Sequence, residues 1–332
     1  MDALNSTAGN VASAGREPPL ITVAICTRNR ARFLREAIES VAHQITSDAE
    51  ILLIDNASTD NTPEIVRSFA TAHPRITAYC EEKLGLSAAR NTALRLARGQ
   101  YVVFLDDDAV AEPGWLEAYR DCFKRPPVPL LAGAGGAVFP RYDGPRPAWI
   151  PPGANLLNWS DKPASFSERG GPWGCNFAVD REQALALGGF NLALGRKGAG
   201  MGAHEETELF WKLKQTGRAF WWLPAARIQH HVAGHRLTFW AQCRDAFCAG
   251  RFAARYRLEL LSGGWGRRTA FRLGRALVCP LQCALGLGTA VLMLPFRPLH
   301  KPASFVYRAA RDAGFGFQAL TGAGEAAHDH SR

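Results

Sequence analysis

Between Leu20 and Asp108 one pattern recurs: an unbroken apolar run that ends on polar or acidic residues, followed by an amphipathic stretch. LITVAIC (Leu20–Cys26) runs into Thr27-Arg28-Asn29, EILLI (Glu50–Ile54) into Asp55, and YVVFL (Tyr101–Leu105) into Asp106-Asp107-Asp108. Short β-branched runs without polar alternation are strands covered on both faces, the mark of a parallel sheet wrapped by helices. The intervening segments supply those helices. Ala31–Ala42 spaces Phe33, Leu34, Ala37, Ile38 and Val41 by three or four residues. Pro63 suits the first turn of a helix reaching Ala72, and Leu86–Ala97 reads as a helix after a strand at Ile76–Cys80. The predicted fold class is α/β: a Rossmann-like, mixed but mostly parallel sheet flanked by helices. In such sheets ligands bind beyond the carboxyl ends of the strands. Topology alone therefore gathers Thr27, Arg28, Asn29, Asp55 and the three aspartates.

The remainder is less regular. Lys124 to Pro172 is rich in Pro and Gly and hard to assign. A strand is expected from Trp173 to Val179, and a short helix from Arg181 to Leu187, stopped by Gly188-Gly189. A further helix opens near Glu206 and is capped by Gly217, with a short strand at Phe220–Leu223. Four glycines between Gly195 and Gly202 read as a mobile loop.

Charge is uneven along the chain. The net charge is +9, and residues 251–312 hold eleven Lys or Arg against two acids, Glu259 and Asp312, so this segment carries the whole excess. Such a segment suits an anionic partner: lipid headgroups, lipid phosphates or nucleic acid. Within it, residues 276–296 form a 21-residue uncharged stretch, interrupted by Pro280, Gln282 and two glycines. That is about the length that crosses a bilayer core, so the stretch is expected to be embedded in a membrane or to lie along it. Arginines flank both ends and give no orientation. The eight cysteines show neither CxxC pairs nor zinc spacing and read as free thiols of a reducing compartment. Met1–Pro19 lacks the apolar core of a signal peptide, so the expected location is the cytoplasmic face of a membrane, and the sequons at Asn5 and Asn158 read as chance matches.

Three adjacent carboxylates at a strand end repel one another and raise each other's pKa unless a cation is present. Hard divalent cations take oxygen ligands, and Mg2+ shares them with substrate phosphates. The aspartate run therefore reads as a metal–diphosphate site rather than a solvated acidic turn. Glu205, Glu206 and Glu208 open the helix of HEETELFWKLKQTG. Unpaired N–H groups in a first turn keep a carboxylate ionised, and an ionised carboxylate can take a hydroxyl proton. The same residues would also complement the helix dipole without any chemistry. His230, or its neighbour His231, is a candidate nitrogen ligand for a metal. Trp211, Phe220, Trp221 and Trp222 read as core, whereas Trp149, Trp159 and Trp173 sit in Pro/Gly-rich loops suited to substrate contact; His204 is a further loop candidate. No GxxxxGK[ST] occurs, no GxGxxG follows the first strand, and no GxSxG is present. P-loop, dinucleotide and α/β-hydrolase chemistry lose their support.

TVAICTRNR, LLIDNASTDNT, GLSAARN and VVFLDDD, in this order within residues 20–115, resemble the nucleotide-binding half of family-2 glycosyltransferases with the GT-A fold. The resemblance implies a nucleoside-diphosphate sugar donor, UDP being the family's commonest nucleotide. Thr27, Arg28 and Asn29 would lie along the nucleotide, Asp55 would accept a hydrogen bond from the base, and Arg90 would face the base or diphosphate. Asp106 and Asp108 match the family's DxD, the first implied to contact ribose or metal and the second to ligate Mn2+ or Mg2+; Asp107 fills the variable middle place. GCNFAVDR, GGFNLALG and HEETELFWKLKQTG are similar to the acceptor side, with Trp173, Asn176, Glu205 and Glu208 as candidates there. On that register Glu206 takes the place of the catalytic base, where the family usually has Asp. His230 matches a position at which histidine completes the metal shell. The implied reaction is a metal-dependent, inverting transfer to a hydroxyl of a lipid-linked or polysaccharide acceptor. The chain then divides into a tail (1–18), a donor-binding half (19–123), an acceptor-binding and catalytic half (124–245), and a basic, apolar, membrane-associated region (246–332), with residues 251–312 meeting the membrane. A sugar-nucleotide-forming nucleotidyltransferase and a non-enzymatic binding protein are the rival readings, and nucleic acid is not an expected partner.

Overall fold

The computed structural model describes residues 17–148, 150, 156–166, 171–196, 204–260, 265–293 and 300–321. Trp149, most of the tail, residues 197–202 of the glycine-rich loop and residues 294–296 of the uncharged stretch lie outside them. The first elements fall where the apolar runs put them: β1 (Ile21–Thr27), α1 (Ala31–Ala42), β2 (Ala49–Asp55), α2 (Thr62–Ala72), β3 (Ile76–Cys80), α3 (Leu86–Leu96) and β4 (Tyr101–Leu105). There follow β5 (Ala109–Ala111), α4 (Trp115–Lys124), β6 (Leu131–Tyr142), β7 (Ala164–Ser165), β8 (Asn176–Asp180), α5 (Arg181–Ala186), α6 (Glu205–Gln215) and β9 (Ala219–Val232). Three long helices close the chain: α7 (Phe239–Leu260), α8 (Trp265–Met293) and α9 (His300–Thr321).

The sheet runs β3-β2-β1-β4-β8-β6-β9-β5, with β7 paired to β9. β3, β2, β1 and β4 are parallel, but β8 pairs antiparallel to both β4 and β6, and β9 antiparallel to β5 and β7. The expectation of a mostly parallel sheet holds for the first half only. A parallel return needs a crossover, usually a helix, and among the described residues none lies between α4 and β8 to supply one. The chain order reverses at β1 and β4, the kind of switch point beside which α/β sheets bind ligands.

Alternation along the strands feeds two cores. Ile21, Val23 and Ile25 of β1 pack with Leu34, Ile38 and Val41 of α1 and with Trp115 and Tyr119 of α4. Ala24 of β1 and Leu52 and Ile54 of β2 face Ala89, Ala93 and Leu94 of α3 and Leu209 and Leu213 of α6. Each fully buried Leu, Ile or Val contributes about 1.5–3 kcal/mol relative to exposure, which explains why both faces of the parallel strands are apolar.

The Pro/Gly-rich stretch conceals β6. A Cβ on Gly133 would fall 1.9 Å from the Ala178 carbonyl of β8, and one on Gly136 1.8 Å from the Ala226 carbonyl of β9. Those glycines, poor strand formers by propensity, are what let three backbones approach. The chain forms two compact units: Met1–Arg141, Asn155–Gly200 and Glu205–His231 in one; Tyr142–Ala154, Met201–His204 and Val232–Arg332 in the other. In the second, α9 packs on both α7 and α8. No helix among the described residues is long and apolar enough to cross a membrane, so the spanning alternative for residues 276–296 is not supported.

Candidate active site

The tips of β1, β2 and β4 form one floor. Thr27 ends β1 and is buried, and the Arg28 guanidinium donates to the Asn56 carbonyl at 3.4 Å. Asn29 stands at φ 52, a left-handed conformation that Asn tolerates better than most residues. Its backbone N–H donates to Ser58 Oγ at 2.9 Å, and its side-chain oxygen accepts from the Thr59 N–H at 2.7 Å. Asn29 thus ties the loop after β1 to the loop after β2. Asp55 is buried at the end of β2, accepts from the Ser58 N–H at 3.3 Å, and has its carboxyl pushed up by burial. Beside it, Asn56 donates to the carbonyls of Glu81 and Lys83 and accepts from the Gly85 N–H. Nothing in the sequence pattern singled Asn56 out.

The three aspartates diverge. Asp106 approaches Arg90 at 3.3 Å, and Asp108 meets the Nε2 of His230 at 3.1 Å. Asp107 turns to Arg30 at 3.8 Å, and the same guanidinium stands 3.6 Å from Asp108. β5 pairs with β9 so that Ala109 lies opposite His230. Alternation then sends the next ring elsewhere: His231 packs against Phe33, with centroids 4.3 Å apart, while its N–H donates to the Asp108 carbonyl. One ligand atom each from Asp106, Asp108 and His230 lies within 4.8 Å of the others. Two carboxylate oxygens and one imidazole nitrogen suit Mn2+ or Mg2+ and leave coordination positions for an anionic ligand. Burial, then the neighbouring Asp108 charge, pushes the Asp107 carboxyl up to about 7; burial also raises that of Asp106, against the pull of Arg90.

Arg90 joins this floor to α6. The resemblance points its guanidinium at the base or diphosphate, yet the side chain is only 3% exposed. It pairs with Glu205 at 2.8 Å, reaches Asp106, and donates to the Gly174 carbonyl at 2.6 Å. Phe104, Phe177 and Phe190 surround it with ring centroids 5.2–5.7 Å away. Glu208 is also engaged, with Lys212 at 2.9 Å and with Asn191. No basic side chain among the described residues closes on Glu206 within ion-pair distance. Its carboxyl lies against Gly174, where a Cβ would stand 3.2 Å from its Cδ. Burial, then repulsion from Glu205, pushes Glu206 up to about 7, outweighing the first-turn N–H groups expected to keep it ionised.

The other acceptor-side candidates separate. Asn176 is fully buried: its Oδ1 accepts from Trp115 and Tyr119, each at 2.9 Å, and its Nδ2 donates to the carbonyls of Ala137 and Ala226. It is a core hub and not a substrate contact, because its polar groups are spent between the sheet and α4. Trp173 is half-buried and sets its edge on Trp222, 5.5 Å between centroids. Trp159 is 46% exposed and stacks on Phe166. All eight cysteines are free thiols, and burial pushes Cys26, next to the site, up to about 12, far from reactivity.

Strand-tip carboxylates and an acidic helix start are thus bridged by one buried arginine, and comparison with known proteins places this arrangement among sugar-transferring enzymes. The family described as glycosyl transferase family 2 matches residues 22–182. The chain is 26% identical over 225 residues to the glucosyl-dolichyl phosphate glucuronosyltransferase of Haloferax volcanii, covering 66% of this chain and 71% of that one. It is 36% identical over 97 residues to the cholesterol galactosyltransferase of Borreliella burgdorferi, covering 29% of this chain and 27% of that one. The fold matches a solved mannosyltransferase of Pyrobaculum calidifontis, in complex with GDP-Man and Mn2+, with a TM-score of 0.55 at 21% identity over 90% of this chain and 87% of that one. These likenesses mark the chain as a glycosyltransferase, with the family 2 match confined to residues 22–182.

Proposed function

We propose that the chain moves a sugar from a nucleoside-diphosphate donor to a hydroxyl of a lipid-linked or polysaccharide acceptor, with inversion and with the help of Mn2+ or Mg2+. The observation that carries this reading is the convergence of Asp106, Asp108 and His230, whose ligand atoms lie within 4.8 Å of one another. Arg90 links that cluster to the helix start bearing Glu206. Asp106, Asp108 and His230 would hold the cation, which when bound neutralises charge on the departing diphosphate. Thr27, Arg28, Asn29 and Asp55 border the place for the nucleoside. Glu206, half-buried beside Gly174 and with proton affinity near neutrality, accepts the proton of the acceptor hydroxyl. That oxygen bonds to the anomeric carbon from the face opposite the breaking bond to diphosphate, and the nucleoside diphosphate leaves with the bonding electron pair.

A lipid-linked acceptor is supported by the names of the two relatives, one acting on a dolichyl phosphate and one on cholesterol, and by the charge of residues 251–312. On this reading the enzyme works at the cytoplasmic surface of a membrane. The test is a thermal-shift screen of nucleoside diphosphates and nucleotide sugars with and without Mn2+, followed by product analysis. Cation-dependent stabilisation by one nucleotide and release of its diphosphate form support the reading. Pyrophosphate release would instead fit the nucleotidyltransferase alternative, and a product with retained anomeric configuration would overturn inversion.

A further inference from the structure

We propose that α8 is an in-plane membrane-docking helix, laid along the surface of an anionic bilayer by one apolar face. The proposal rests on the membrane-surface part of the reading above and identifies the element and the lipid chemistry responsible.

The helix is 29 residues long, about 43 Å at 1.5 Å per residue. Its inner flank is fixed by packing. Cys279 and Ala290 are buried, the Cys283 thiol donates to the Ala309 carbonyl of α9, and a Cβ on Gly286 would stand 3.3 Å from Ala309. Positions 279, 283, 286 and 290 follow helical spacing and make one seam against α9. Val278, Leu281, Leu285 and Val291, turned away from that seam, are 41%, 61%, 62% and 65% exposed. With 3.6 residues per turn, Pro280, Ala284 and Gly288 fall on the same outward arc, and all three are exposed. Between Val278 and Val291 the arc carries no charge, and Gln282 and Thr289 stand at its border.

Exposed leucines and valines on this scale need an apolar partner. A second copy of the chain would bring another segment of eleven basic and two acidic residues to the interface, so self-association through this face is opposed by charge. A bilayer with anionic lipids offers both complements at once: negative headgroups for the basic segment and acyl chains for the arc. With its other flank occupied by α9, the helix presents one side only, which fits lying in the interface and not crossing it.

The experiment is vesicle flotation of the full chain with phosphatidylcholine alone or with phosphatidylglycerol added, comparing wild type with Leu281→Glu/Leu285→Glu. Leu96→Glu, on an exposed leucine of α3 (43% exposed), is the off-face control. Wild type and control should float with the anionic vesicles, far less with neutral ones, and be stripped by alkaline carbonate without detergent. The double variant should lose at least about ten-fold in binding. Equal flotation of wild type and double variant would overturn the proposal, as would a requirement for detergent. So would a change from dimer to monomer in the double variant with no effect on flotation, which would make the face a self-association surface. Donor turnover in vesicle-free buffer, expected unchanged in the double variant, keeps failure of this proposal separate from failure of the transferase reading.

Discussion

Glu205→Gln tests whether the buried ion pair of α6 both holds the site together and tunes its base. Glu205 and Arg90 are 5% and 3% exposed and stand 2.8 Å apart. Glutamine keeps the volume and one acceptor but removes the charge. Breaking a buried pair typically costs about 3–5 kcal/mol, because the remaining charge is left uncompensated. Here Arg90 keeps Asp106 at 3.3 Å, the Gly174 carbonyl at 2.6 Å and three aromatic rings, which points to the lower end, about 3 kcal/mol. At about 2–4 °C per kcal/mol for a domain of this size, the unfolding transition should drop by roughly 6–12 °C in differential scanning fluorimetry. Arg90→Met alone should cost more than Arg90→Met/Glu205→Gln, since the double variant leaves no unpaired carboxylate beside the rings. The same substitution has a kinetic signature. Repulsion from Glu205 is, after burial, the main cause holding the Glu206 carboxyl near 7; without it Glu206 ionises at lower pH, and the acid limb of the kcat/KM profile should move down. A transition within about 1 °C of wild type, or a limb that stays in place, would refute this account of the pair.

Glu206→Gln should lower kcat by about 10²–10⁴-fold while donor binding, read by calorimetry, is retained. In wild type the rate should fall as pH drops below about 7, because the base is then protonated. Asp108→Ala removes the carboxylate between Asp106 and His230 and should abolish Mn2+-dependent stabilisation by nucleoside diphosphate in a thermal-shift assay. Asn176→Ala leaves the Trp115 and Tyr119 donors without their buried acceptor and removes one bond to each of two strand carbonyls. At about 1–3 kcal/mol per orphaned group, its urea midpoint should fall sharply, whereas an unchanged midpoint would mean that water reaches the hub.

The parallel half of the sheet was legible because its physics is local. β1, β2 and β4 are apolar runs, each leading at its carboxyl end into polar residues, and α1 shows its buried stripe directly as Leu34, Ala37, Ile38 and Val41. β6 was hidden because its glycines lower strand propensity, and their reason for being there, contact with the Ala178 and Ala226 carbonyls, is purely tertiary. Asn176 looked like an acceptor-side polar residue. The clue to its burial lay on another element, in Trp115 and Tyr119 one helical turn apart on α4 and both aimed at it. Arg90 shares its helix face with Ala89, Ala93 and Leu94, a setting that argues for a buried cation over one facing a diphosphate. Arg30 gave no signal beyond its charge, because its place beside Asp107 and Asp108 depends on how the loop after β1 turns.

On the proposed mechanism the two adjacent glutamates divide labour through helix geometry. Successive side chains on a helix point about 100° apart, so when Glu205 turns inward to Arg90, Glu206 faces the loop at Gly174. One carboxylate is thereby committed to a buried cation; the other meets desolvation and a like charge, the conditions that bring a carboxyl toward the working pH of a general base. Gly174 is the gauge of that arrangement. A methyl there would stand 3.2 Å from the Glu206 Cδ and 3.3 Å from its Oε1, so the carboxylate must shift by a few tenths of an ångström. Gly174 is not among the residues at positive φ, so alanine strains no backbone, and the fold should hold. Displacing a catalytic group by about 1 Å can cost about 10²-fold in rate, and this smaller shift should lower kcat by about ten-fold with donor KM and thermal transition unchanged. Wild-type kcat in Gly174→Ala would mean that the proton goes to a group other than Glu206.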